Sequence, residues 1–178
     1  MTEPCPLCRS AGTHVSYRLT GYRIAVCRDC GFEFHDNFHG GGGDRDMFSA
    51  EYYTERHGSA FESQLAGDDA RDPSAPVYAR WLDVITARSG PGRILDVGSA
   101  LGTFLAMARD RGFTPRGVEI SQFASSFARE RRGLDVFTGD LEHFAADDGS
   151  FDVVTFWDAL EHVTHPLENL PARRSCPS

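Results

Sequence analysis

RILDVGSALGTF, residues 93–104, runs from an apolar strand through a small-residue turn into the start of an apolar helix. Turns of this kind, at the carboxyl end of a strand, hold nucleotides and nucleotide-like cofactors. The centre of this one, Gly98-Ser99-Ala100-Leu101-Gly102, fits neither common fingerprint. A dinucleotide turn needs GxGxxG so that glycine backbone can approach a pyrophosphate, and here Ala100 replaces the middle glycine. A phosphate loop needs a lysine. All 18 basic residues of this chain are arginine, and lysine is absent. The same absence removes pyridoxal Schiff-base chemistry and any lysine nucleophile.

The flanking segments alternate. SAPVYARWLDVITAR places Val77, Trp81, Val84 and Ile85 on one predicted helical face. A strand over 93–98 and a helix over 101–111, closed by Gly112, come next, followed by a strand over 114–119. A helix over 121–132 has Ser121 as N-cap and Gly133 as its stop. Strands over 134–138 and 151–157 complete the pattern. This predicts an α/β fold, a Rossmann-like, doubly wound parallel sheet of about four strands. Ligands of such sheets bind where the winding reverses. Three acids sit there: Asp96 near the end of the first strand, Glu119 ending the second and Asp140 after the third. An acid at the second position commonly accepts hydrogen bonds from ribose hydroxyls. An adenosine-like ligand without a pyrophosphate is implied, and S-adenosylmethionine fits: its carboxylate would meet backbone N–H groups at a helix start.

The amino terminus carries separate chemistry. CPLC (Cys5, Cys8) and CRDC (Cys27, Cys30) are two pairs with metal-ligand spacing. Four thiolates complete a tetrahedron around Zn2+ and leave no open position, so the predicted zinc is structural. Gly31 supplies the tight turn after the second pair, and a hairpin is predicted around Thr20-Gly21. Residues 1–38 thus read as a small β zinc ribbon. Residues 39–73 read as a linker, bounded by HGGGGDRD and GDDARDPSAP and containing Phe48, Tyr52, Tyr53 and Phe61. These aromatics read as packing, with a lid over a cofactor as the alternative. Residues 74–178 form the cofactor-binding domain.

A chain of 178 residues, 40% of them hydrophobic, suits one domain with an appendage. Its net charge of −8 argues against nucleic acid as a partner. No apolar run approaches membrane-spanning length and no secretory signal is visible, so a cytoplasmic, reducing location is expected.

ILDVGSALGTFL, GVEIS, DVFTGDLE and FDVVTFWDALEHV together resemble the successive cofactor motifs of class I S-adenosylmethionine-dependent methyltransferases. The preceding ribbon and EYY segment resemble the bacterial subgroup that joins four cysteines to that domain, whose members often serve polysaccharide or natural-product pathways. The resemblance implies cofactor contacts from Asp96, Gly98, Gly102, Glu119, Asp140 and Leu141, with Ser99, Ala100 and Ile120 completing the motifs. Ser99-Ala100-Leu101 departs from the family's usual Cys-Gly-Thr. A small-molecule or sugar-type methyl acceptor is implied.

WDALEHVTHP supplies His162 as the candidate general base. Asp158, Glu161 and His162 also resemble the metal-binding ExxEH of certain small-RNA 3′-end and quinone-pathway O-methyltransferases; bracing of the turn is the third reading. The resembled family has seven strands and four are readable here. The 21 residues after Trp157 end in NLPARRSCPS, which has no strand-like run, and Cys176 is expected to carry no metal. A catalytic domain cut short is therefore expected, with the strand at 151–157 left as an edge open to self-association. An inactive fragment, or a zinc-ribbon binding and scaffold module, is the alternative.

Overall fold

The computed structural model describes residues 2–19, 22–36, 48–147 and 149–163. The expectations for 164–178, Cys176 included, and for the Thr20-Gly21 turn lie outside the described residues. Two compact units fall within Met1–Gly40 and Gly41–Val163.

In the first unit, β1 (Thr13–Leu19) pairs antiparallel with β2 (Tyr22–Cys27), which pairs in turn with the short β3 (Glu33–His35). The sequence reading had no β3, a strand of three residues. Both cysteine pairs close the same turn: Arg9 N–H donates to Cys5 O at 2.8 Å, and Gly31 N–H to Cys27 O at 2.9 Å. Gly31 has φ +74° and Arg9 has φ +61°, so the first turn holds an arginine where the second uses glycine. Asp36, fully buried, ties this unit together by pairing with Arg23 at 2.8 Å and accepting the Glu3 N–H at 2.6 Å.

The second unit is built on a parallel sheet of β4 (Arg93–Val97), β5 (Thr114–Glu119), β6 (Asp135–Thr138) and β7 (Val153–Phe156). Its order is β6-β5-β4-β7, so the winding reverses beside β4. The central β4 is buried from Ile94 to Val97, and its alternation serves two cores. Ile94 packs with Leu82, Phe104 and Phe113 on one face; Leu95 and Val97 pack with Val118, Leu141 and Phe144 on the other. The crossovers α3 (Thr103–Asp110) and α4 (Gln122–Arg132) meet over Leu105, Ala106 and Ala128. The return from β6 to β7 passes Leu141 and Phe144 over the opposite face, which makes the sheet doubly wound.

Ser121 caps α4 as expected, its Oγ accepting the Ala124 N–H at 3.3 Å, and Gly133 ends it with φ +64°. The face expected for α2 (Ala75–Ser89) needs correction. Tyr78, Leu82 and Ile85 face the core, while Val77 is 49% and Trp81 48% exposed. No helix among the described residues is long and apolar enough to cross a membrane.

Candidate functional site

The glycine turn leaves β4 with its backbone committed. Gly98 N–H and Ser99 N–H both donate to Val118 O, at 2.8 and 3.2 Å, and Gly102 N–H donates to Ser99 O at 2.9 Å. Gly98 (φ +78°) and Gly102 (φ +87°) take left-handed backbone with no room to spare. A Cβ on Gly98 would lie 2.5 Å from Ala159 Cβ, and one on Gly102 would lie 2.6 Å from Leu134 Cδ1. Ala100, where the family resemblance leads one to expect glycine, is also left-handed at φ +47°. Its N–H donates to Glu119 Oε2 at 2.7 Å, a charge-assisted bond that offsets the roughly 1–2 kcal/mol cost of that conformation. Ser99, by contrast, turns inward: it is buried, and its Oγ lies where a Cβ on Gly117 would be 2.7 Å away.

The three acids stand along the carboxyl ends of neighbouring strands. Glu119 ends β5, is 4% exposed, and accepts the Ser121 N–H on Oε1 at 2.8 Å beside the Ala100 bond on Oε2. Burial raises its carboxyl above the usual range, against the lowering effect of these N–H donors. The Ile120 N–H is a third donor to this carboxylate, so of its roughly four lone-pair sites about one is left to accept a further hydroxyl. Asp96, within β4, is 1% exposed and accepts the Thr155 hydroxyl at 2.8 Å; burial pushes it up to about 8. Asp140 follows β6, pairs with the His143 ring and accepts the His143 N–H at 3.1 Å. Leu141 beside it is buried, and Ile120 is half-buried after Glu119.

The aromatic segment belongs to this site. A π-helical turn (Tyr52–Arg56) and α1 (Gly58–Leu65) bring Tyr53 onto Leu101 and Ala124, with Phe48, Phe61, Ala100 and Phe123 around them. Ser121 Oγ donates to Phe48 O. Burial, reinforced by the Glu119 charge, raises the Tyr53 hydroxyl well above its ordinary value. The packing reading holds, and what the aromatics pack on is the glycine turn itself. Sequence reasoning missed Thr155 as the partner of Asp96; a lone hydroxyl residue inside the apolar FDVVTFW was the available signal.

Beyond β7 the chain forms a 3-10 turn (Leu160–His162), preceded by Asp158 at φ +50°. His162 is exposed, with its ring edge-on to Phe48 at 6.2 Å between centroids. The Glu161 side chain lies outside the described residues, so the trio with Asp158 and His162 is only partly defined.

In the amino-terminal unit the Sγ atoms of Cys5, Cys8, Cys27 and Cys30 all lie within 4.8 Å of one another. Cys5 to Cys30 is 3.6 Å and Cys8 to Cys27 is 3.5 Å. A tetrahedron with Zn–S of ~2.3 Å has edges of ~3.8 Å, so the four sulfurs fit one zinc ion. The Cys30 backbone N–H is the chief cause that lowers the Cys27 thiol to about 7.

A family model described as "Methyltransferase domain" matches residues 69–176. Among curated proteins, a ubiquinone biosynthesis O-methyltransferase of Thiobacillus denitrificans is 33% identical over 103 residues, 54% of this chain and 44% of that protein. The corresponding protein of Aromatoleum aromaticum is 30% identical over the same shares. The chain thus spans less than half the length of these relatives. Magnesium protoporphyrin IX methyltransferase of Synechocystis, solved with bound S-adenosylmethionine, shares the fold: TM-score 0.51, 18% identity, 72% of this chain and 68% of that one.

Proposed function

The chain belongs to the methyltransferase-domain family, and on that premise we propose that it binds S-adenosylmethionine at the glycine turn and takes part in methyl transfer to a small-molecule acceptor, sugar-type among them. The observation that carries this reading is the row Asp140, Glu119, Asp96 along the ends of β6, β5 and β4, beside a turn that suits no pyrophosphate. Glu119 takes the ribose end on the lone-pair capacity that its three backbone N–H donors leave. Asp140 and Leu141 take the adenine end, with Ile120 beside it. Gly98 and Gly102 let the donor approach the turn, Ser99 and Ala100 line it, and Asp96 faces the methionine end. The donor, when bound, supplies an activated methyl group; the protein aligns it with the acceptor. His162 takes the acceptor's proton, consistent with the O-methyltransferase names of the relatives.

Cys5, Cys8, Cys27 and Cys30 hold one structural zinc, which supports a reducing, cytoplasmic setting. Strand β7 has β4 as its one partner among the described residues, and its outer edge supports self-association.

Calorimetric titration with S-adenosylhomocysteine tests the central reading. Glu119→Ala is expected to weaken binding by about 1–3 kcal/mol, the loss of hydrogen bonds to a charged group. Equal affinities would reduce Glu119 to a brace for the turn. No binding by the unaltered chain would leave a zinc-ribbon module without donor chemistry.

A further inference from the structure

One group of side chains beside β4 is not part of the row just described. Tyr78, in the first turns of α2, packs its ring against Trp157 at 5.0 Å and Phe104 at 5.4 Å between centroids. Its hydroxyl is raised to about 12, first by burial and then by the charges of Asp96, Asp72 and Asp158, which bear on it together. Asp72 is 2% exposed; its Oδ1 accepts the Ser74 N–H at 2.7 Å, and its buried Oδ2 has no hydrogen-bond partner among the described residues. Among the described residues none of these three carboxylates forms an ion pair with an arginine, although most other aspartates of this unit do.

A buried carboxylate oxygen that accepts nothing is unfavourable in the free protein, and Asp72 Oδ2 is one, while Asp96 is buried beside the same tyrosine. A ligand carrying a compact positive charge with N–H donors would relieve them. The topology says which end of a ligand arrives. In the sheet order β6-β5-β4-β7, Asp140, Glu119, Asp96 and Asp158 follow one another, so a donor with its adenine toward β6 and its ribose on Glu119 extends its amino-acid end to the β4–β7 gap. That end offers one ammonium and one carboxylate, and the buried acids Asp96 and Asp72, with the exposed Asp158 near them, select the ammonium.

We propose that Asp72 and Tyr78 bind the α-ammonium of the donor, Asp72 through its unpartnered Oδ2 and Tyr78 through its hydroxyl oxygen, alongside Asp96. This rests on the S-adenosylmethionine reading and adds two residues from the segment ahead of the sheet.

Two ligands separate the possibilities by calorimetry on the 178-residue chain: S-adenosylhomocysteine, and its deamino analogue with hydrogen in place of the amino group. The unaltered chain is expected to favour S-adenosylhomocysteine, and Asp72→Asn to lose about tenfold for it while holding its affinity for the analogue. Asparagine keeps the Oδ1 bond to Ser74, and losing a buried charge leaves the melting temperature of Asp72→Asn unchanged or raised. Tyr78→Phe, which keeps the ring contacts, is expected to show the same ligand selectivity with a smaller loss. Equal weakening of both ligands, or of neither, in both variants would overturn the proposal while leaving the donor reading intact. Failure of the unaltered chain to bind either ligand would overturn both.

Discussion

Arg132 Nη1 reaches both carboxylate oxygens of Asp69, 63 residues away, at 2.6 and 2.5 Å. The same guanidinium donates to Gln64 O at 2.9 Å, and its side chain is only 7% exposed. One ion pair therefore fastens the end of the aromatic segment to the last turn of α4. Asp69→Ala leaves a nearly buried guanidinium without its counter-charge, so a stability loss on the order of 3 kcal/mol is expected. Urea unfolding followed by tryptophan fluorescence reads it; a loss under 1 kcal/mol would mean water compensates the arginine.

Asp96 makes stability depend on pH. Its carboxyl is held near 8 in the fold against an ordinary 3.8, first by burial. Between those values the folded chain binds a proton that the unfolded chain has released, so stability falls as pH rises from about 4 to about 8. Glu119, also raised by burial, adds a slope of the same sign. Asp96→Asn should flatten the curve, gaining most near pH 8. Denaturation midpoints at pH 5 and pH 8 compare the two chains; parallel slopes would remove Asp96 from the account.

Elemental analysis of protein purified without added metal should find about one zinc per chain, and Cys27→Ser/Cys30→Ser should abolish it. With metal removed, four crowded thiols lose the cation that permits all of them to ionise, and the ribbon should become sensitive to protease. Zinc retained by the double variant would place it elsewhere.

His162→Ala is expected to lower methyl transfer by roughly a hundredfold while leaving affinity for S-adenosylhomocysteine unchanged. A metal role for Asp158 and His162 predicts a different result, inhibition by a chelator that added divalent ions reverse while the ribbon keeps its zinc. Loss of donor affinity in His162→Ala would instead assign the ring to its contact with Phe48.

Much of this arrangement is legible in the sequence because it depends on local signals. Ser121 and Gly133 mark the two ends of α4 through capping chemistry, and the glycines at 98 and 102 mark the turn through backbone conformation. The acids at strand ends follow from strand boundaries alone. What resists reading is long-range pairing. The face of α2 turns on Tyr78 and Leu82, not on the equally apolar Val77 and Trp81, because contacts with Ile94 and Phe104 select it. Thr155 against Asp96 and Asp69 against Arg132 are likewise products of topology, with no signature in the residues between them.

The contact of Gly98 with Ala159 bears on how such chains diverge. The turn after β4 and the segment after β7 share one small volume, since any Cβ at 98 would fall 2.5 Å from that of Ala159. Drift at these two positions is consequently asymmetric. Position 159 can shrink to glycine without penalty at 98, but a side chain at 98 remains strained even then, because φ +78° is a conformation that L residues rarely adopt. Substitutions enlarging 159 push directly on the turn, so changes in the segment after β7 are borne on either side of Ala159 and not at it.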